Sequence, residues 1–198
     1  MAFWIFIQFQ IGYSLGQNGA KKLYPPLTFT NLKTVGANTA KENPLGHKSQ
    51  RIVVLICLSE ICMVSRYYAQ EMQTLYQKYG SDSVFFGGFF PNPFSSSNAI
   101  LDFSNENKLG FPLYQDSIGT FSRAQSITTT PEVLVFKDGR KVFQGRIDDF
   151  YVAVGRHKGF TRMRFLENAI SRLLKNELPE KSFIPPIGCA IDFRLWDK

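Results

Sequence analysis

The chain has 198 residues, 44% of them hydrophobic and 20% charged, with 19 phenylalanines and 8 tyrosines, which supplies one ordinary core plus appendages and excludes a disordered chain. The formal charge of +7 is spread along the sequence without a recognition helix or stacking motif, so nucleic acid is not an expected partner. Cys57, Cys62 and Cys189 are too few for a disulfide framework and, with only His47 and His157 beside them, show no metal-ligand spacing; neither a metal nor a cofactor is expected.

The opening "MAFWIFIQFQIGYSLGQNGA" carries an apolar run of signal-peptide length, with Ser14 and Gly16 as small residues at a cleavage point. The run is too short to span a membrane as a helix, so an integral membrane protein is not expected. No Lys or Arg precedes Lys21, and Phe3, Ile5, Ile7, Phe9 and Ile11 alternate at period two, which describes a buried or edge strand instead. Residues 1–16 are thus a candidate signal peptide, placing the protein in the periplasm or another extracytoplasmic space, with a cytoplasmic location as the alternative. Residues 17–50 form an N-terminal lead-in with one short strand around "LTFTNL".

"RIVVLICL" is a continuous, mostly β-branched run, the pattern of a central parallel strand covered on both faces. The spacing of Tyr67, Tyr68, Met72, Leu75, Tyr76 and Tyr79 predicts a helix from about residue 63 to Gly80. "SVFFGGFF" reads as a second strand, and the serines and Asn98 after "PNPF" as caps of a helix over "NAILDFSNENKL". In "PEVLVFKDGRKVFQGRI" two Val- and Phe-rich runs flank Asp-Gly, which predicts an antiparallel hairpin. "GRHKGFTRMR" reads as a basic surface loop containing His157. After it, Phe165, Leu166, Ala169, Ile170, Leu173 and Leu174 form the apolar stripe of a last helix ending before Pro179. The tail "EKSFIPPIGCAIDFRLWDK" has no periodicity and either lies against the domain or hangs loose.

Strand, helix, strand, helix, Thr-Pro, hairpin, helix, with a cysteine where the first strand meets its helix, resembles the thioredoxin fold: α/β, with a mixed central sheet flanked by helices on both faces. "LSEICMVSRYY", "TTTPEVLVFKDGRKVFQGRIDD" and "PIGCAI" are together similar to a bacterial redoxin family related to alkyl hydroperoxide reductase and thiol-specific antioxidant proteins. The likeness spans residues 51 to 191, giving a thioredoxin-like domain over 51–178 and a tail over 179–198 that carries Gly-Cys. It implies a thiol-dependent oxidoreductase acting on a disulfide-containing protein or a peroxide and regenerated by an external thiol reductant.

Cys62, at a helix N-terminus, would face unpaired N–H groups and the positive end of the dipole, which favour the thiolate; the other reading is a small buried core residue. Ser65 stands where a two-cysteine enzyme keeps its second thiol, and its hydroxyl either bonds the thiolate or faces solvent. The resemblance implies that Thr130-Pro131 is a cis bond beside the reactive cysteine, with the backbone before it free to pair with an incoming strand; the other reading is a trans proline opening an edge strand. Cys189 is a resolving thiol if the tail returns across the site, and otherwise a cysteine without a partner. Arg146 either stabilises a thiolate or bound carboxylate or sits in a solvated ion pair. Met63 replaces the family's proline after the cysteine, Glu60-Ile61 replaces its Pro-Glu, and Leu55 stands at a peroxiredoxin proline position. Thiol-disulfide exchange is therefore favoured over efficient peroxide reduction. The alternative is a non-catalytic thioredoxin-fold binding module.

Overall fold

The computed structural model of the chain describes residues 32–36, 52–81, 83–161 and 163–196. The candidate signal peptide and all but the last residue of "LTFTNL" lie outside them. The first described strand, β1 (Lys33–Val35), comes directly after that stretch. β2 (Ile52–Cys57) is buried at all six positions. Val54 and Ile56 enter one core cluster, while Val53, Leu55 and Cys57 enter the other, because successive strand side chains point to opposite faces.

α1 (Met63–Tyr79) ends where the Gly80 N–H bonds the Tyr76 carbonyl. β3 (Val84–Phe90) is also wholly buried. α2 (Ser97–Glu106) begins at Ser96, whose hydroxyl accepts the Ala99 N–H at 3.1 Å, satisfying one of the donors that a helix start leaves open. Two short elements follow, β4 (Leu113–Gln115) and α3 (Thr120–Ala124). β5 (Thr129–Thr130) precedes the cis Thr130-Pro131 bond. β6 (Glu132–Lys137) and β7 (Arg140–Gly145) form the expected hairpin. Asp138 and Gly139 turn it with φ of 49° and 76°, the two positive angles of a type I′ turn.

Within the basic stretch read as a loop, Arg156 and His157 form the exposed strand β9 (Arg156–His157), which pairs with β8 (Tyr151–Ala153) in a small hairpin. α4 (Phe165–Leu174) buries Leu166, Ala169, Ile170 and Leu173. The tail adds β10 (Phe183–Ile184), β11 (Cys189–Ala190) and a closing 3-10 turn over Phe193–Trp196.

The main sheet runs β1-β4-β3-β2-β6-β7-β10. β2, β3 and β4 are parallel, β6 runs antiparallel to β2, and β7 runs antiparallel to β6. Apolar faces of α1, α2 and α4 join one core cluster, and Phe121 of α3 joins the other. The sheet is mixed, with helices on both faces, as a thioredoxin-like fold requires. Two consequences position the site. The C-terminal end of β2 delivers Cys62 to the start of α1, and β5 stands apart from the main sheet with an edge that, among the described residues, pairs with the tail alone.

Candidate functional site

Cys62 is the N-cap of α1, and its carbonyl already accepts the Arg66 N–H at 3.0 Å. The turn leading to it is pinned by hydrogen bonds from several sides. Cys62 N–H donates to the Ser59 carbonyl at 3.2 Å, and Ser59 N–H donates to the Ser65 hydroxyl at 3.3 Å. Arg66 Nε donates to the Glu60 carbonyl at 2.9 Å. Ser65 is therefore buried and holds the turn, rather than facing solvent from the first helical turn. Glu60 is buried too: its Oε1 accepts the Ser95 hydroxyl at 2.6 Å, and its Oε2 has no hydrogen-bond partner among the described residues. In the sequence Glu60 stands out only as a departure from the family's Pro-Glu, because nothing local marks a glutamate two residues before a cysteine as inward-facing.

Cys62 itself is only 1% exposed, although its neighbours Ile61 and Met63 are 80% and 55% exposed. Its sulfur lies 3.1 Å from the Thr130 carbonyl oxygen, so the fold brings Cys62, Thr130 and the cis Pro131 together. Cys189 completes the group. It is joined to Cys62 in a disulfide spanning 127 residues of sequence, with a Cα–Cα distance of 6.0 Å, inside the range that such a bridge needs.

The path of the tail explains how this closure is reached. β10 runs parallel to β7, with Phe183 opposite Gln144 and Ile184 opposite Gly145. Arg146 secures the crossing: its N–H donates to Ile184 O at 3.3 Å and its Nε to Pro185 O at 2.7 Å. Arg146 thus binds the tail backbone, a role absent from both readings of the sequence. Beyond it, β11 lies antiparallel on β5, with Cys189 opposite Thr130 and Ala190 opposite Thr129. Ile191 N–H donates to Thr128 O at 2.9 Å, and the Thr130 hydroxyl faces Cys189 O at 3.4 Å.

Two glycines make the docking possible. Gly145 has φ +143°, and a β-carbon there would meet the Ile184 oxygen at 1.8 Å; one at Gly188 would meet the Thr130 oxygen at 2.1 Å. In both places backbone passes backbone at a distance that only glycine allows. Gly188 belongs to the Gly-Cys pair noted in the sequence, but nothing local at either glycine marks a close backbone approach, since the obstructing atoms belong to a distant segment.

Under the site, burial pushes the Cys57 thiol well above its ordinary range, with the carboxylates of Glu132 and Asp116 adding to the effect. Cys57 is a packing residue of β2. Glu132, directly after Pro131, accepts Gln144 Nε2 at 2.7 Å and Thr128 N–H at 3.2 Å. Burial raises its pKa and these hydrogen bonds oppose the rise. Asp148 accepts the Tyr68 hydroxyl and, at 2.9 Å, the Phe150 N–H, tying α1 to the stretch after β7. Asp149 pairs with Lys158 at 2.6 Å. His157 is exposed and stacks on Phe150 with ring centroids 4.6 Å apart. Among the described residues no group of three or more His, Cys, Asp or Glu side chains could hold a metal ion, and no helix is long and apolar enough to cross a membrane.

No family model and no curated protein matches the chain. Solved structures do. An uncharacterised conserved protein from Geobacillus kaustophilus superposes with a TM-score of 0.69 at 19% identity, over 86% of this chain and 93% of that one. A thioredoxin-like protein solved in its oxidised form gives 0.59 at 17% identity, over 79% and 99%. A thiol-disulfide isomerase from Corynebacterium glutamicum gives 0.54 at 15% identity, over 80% and 98%. At these identities the likeness is one of fold, and the fold is thioredoxin-like.

Proposed function

We propose that this chain is a thiol-disulfide oxidoreductase that cycles between the Cys62–Cys189 disulfide and the dithiol, with Cys62 as nucleophile and Cys189 as resolving thiol. One observation carries the reading: a strand-to-helix cysteine and a tail cysteine 127 residues away are joined by a tail strand seated on the residues before a cis proline. A merely structural staple needs neither the helix N-terminus nor that edge. The comparison with a thiol-disulfide isomerase of the same fold points the same way.

In the reduced protein the Cys62 thiolate is favoured by the open N–H groups and dipole of α1. It attacks one sulfur of a partner's disulfide, and the partner's other sulfur leaves as a thiolate. Cys189, as thiolate, then attacks the Cys62 sulfur and expels the partner's second thiolate, closing the internal bridge. Two electrons pass from the dithiol to the partner, and an external thiol restores the dithiol.

With β11 lifted off β5 in the reduced protein, the edge at Thr130 and Pro131 is free for the partner's strand; Ser65 fixes the turn before Cys62, and Arg146 guides the tail back. Antioxidant use of the same pair is chemically equivalent at its end point. A peroxide would oxidise Cys62 to a sulfenic acid, and condensation with the Cys189 thiol would release water and give the same disulfide. A bridge of this kind persists most readily in an oxidising compartment, which with the apolar N-terminal run supports an extracytoplasmic location.

The test is reduction of a protein disulfide, such as that of insulin, by the dithiol form in the presence of excess thiol. Cys62→Ser should abolish turnover, and pre-reduced Cys189→Ser, freed of the excess thiol, should stall at a mixed disulfide on Cys62. Turnover that survives Cys62→Ser, or a Cys62 that stays inert in the reduced wild type, would leave a binding module as the better description.

A further inference from the structure

We infer that the reductant of the oxidised protein forms its mixed disulfide with Cys189 and expels Cys62 as the leaving thiolate. The two halves of the cycle then meet their partners on different sulfurs: the substrate on Cys62, the reductant on Cys189. This rests on the redox reading above and adds which sulfur the reductant attacks and what kind of thiol can reach it.

The first argument is access. Attack on a disulfide sulfur proceeds in line with the bond that breaks, so an attacker of Cys62 must come from the side away from Cys189. Cys62 is 1% exposed, so while the tail is docked a thiol from solvent has almost no access to its sulfur. Cys189 sits half-buried on a two-residue strand of the tail, between Gly188 and an exposed Ala190. Of the two bridged cysteines it is therefore the one with surface open to a solvent-borne thiol.

The second argument is the edge. A protein thiol that sought Cys62 by pairing with β5 would need the positions that β11 already fills, opposite Thr129 and Thr130. Gly188 lies so close to Thr130 and Pro131 that not even a methyl group fits between them. With the tail docked, the edge serves the tail alone. The matching reductant is a thiol that needs no strand pairing, of the low-molecular-weight class.

The third argument is the leaving group. In the disulfide, the Cys62 sulfur accepts no hydrogen bond from the first turn of α1, so those donors remain for a thiolate released there. Cys189 has no helix start behind it. Exchange runs faster when the better-stabilised thiolate leaves. The step balances as follows. A reductant thiolate donates its electron pair to the Cys189 sulfur, the Cys62–Cys189 bond breaks, and its electron pair stays on Cys62. A second reductant thiolate attacks the reductant's own sulfur in the mixed disulfide, giving the oxidised reductant and a Cys189 thiolate.

The experiment treats the oxidised full chain with glutathione at neutral pH. Samples are quenched in acid at increasing times, free thiols are alkylated, and peptides containing residues 62 and 189 are weighed by mass spectrometry. Extrapolated to zero time, glutathione on Cys189 should exceed glutathione on Cys62 by about tenfold or more. An excess on Cys62, or equal amounts, overturns the inference and leaves the redox reading intact. A bridge that forms but is never opened by glutathione or dithiothreitol in the folded chain overturns both.

Discussion

Replacing Gly188 with Ala leaves both cysteines in place and removes the space in which the tail docks. The added β-carbon would sit 2.1 Å from the Thr130 oxygen, 2.7 Å from its carbonyl carbon and 3.1 Å from the Pro131 nitrogen. All three are backbone atoms with no rotamer to turn aside. Restoring a normal separation of about 3.5 Å moves this part of the tail outward by an ångström or so. The Cα atoms of the bridge are already 6.0 Å apart, against an upper limit of about 6.8 Å for an undistorted disulfide. Either the bridge loses its geometry or β11 leaves β5, giving up the Ile191-to-Thr128 and Thr130-to-Cys189 contacts.

At about 1 kcal/mol net for each hydrogen bond, the loss is about 2 kcal/mol. In a two-electron couple that corresponds to roughly 40 mV, because 30 mV is about 1.4 kcal/mol. The assay equilibrates wild type and variant in graded glutathione redox buffers and reads the oxidised fraction by acid quench, alkylation and mass. The variant midpoint should move by about that amount toward more oxidising potential. Gly159→Ala is the control, since a β-carbon there meets nothing within 4 Å, and it should titrate as wild type. A Gly188→Ala chain that closes its bridge at the wild-type midpoint would refute the claim that tail docking on β5 sets the stability of the disulfide.

Further outcomes follow from the same contacts. Cys189→Ser, compared with the oxidised wild type in urea, should lose on the order of 4–5 kcal/mol, the chain-entropy value for a loop of this length; a loss below about 1 kcal/mol would mean that the bridge does not constrain the unfolded chain. For pH, burial holds the Glu132 carboxyl above its ordinary value of 4.5. A group raised in the folded state supports folding fully below its unfolded pKa, and that support is lost as pH rises through its folded pKa. Wild type should therefore fall in stability relative to Glu132→Gln as pH climbs from 4.5, and parallel curves from chemical denaturation at successive pH values would count against this. Tyr68→Phe removes the hydroxyl that donates to buried Asp148 and should cost about 1–3 kcal/mol of unfolding free energy in denaturant; an unchanged value would show that Phe150 N–H and the Thr161 hydroxyl, which donates to Asp148 Oδ2 at 3.4 Å, suffice for that carboxylate.

Local pattern was enough for the long elements. β2 and β3 are legible as unbroken apolar runs, α1 and α4 as stripes at helical spacing, and the β6–β7 turn as Asp-Gly, because each is decided by neighbours within a few residues. β4, α3, β10 and β11 are two to five residues long, too short to display a period; β4 and β10 form against the longer β3 and β7, and β11 against the equally short β5. The placement of Cys62 between a strand and a helix was readable for the same local reason. The inward turn of Ser65 was not: whether a first-turn hydroxyl meets solvent or the Ser59 N–H depends on how the preceding loop folds back.

By itself, then, the sequence determined the long strands, the long helices and the cysteine that the first parallel strand hands to its helix, since these follow from side-chain pattern along one short stretch of chain. Tertiary structure alone decided that Cys189 is the partner of that cysteine, that Arg146 grips the tail, and that Gly145 and Gly188 must lack side chains. Each of these depends on an atom far away in the chain: the Cys62 sulfur for Cys189, Pro185 O for Arg146, Ile184 O for Gly145 and Thr130 O for Gly188. Such meetings arise only when the tail crosses β7 and settles on β5, a path set by the packed sheet rather than by any residue's immediate neighbours.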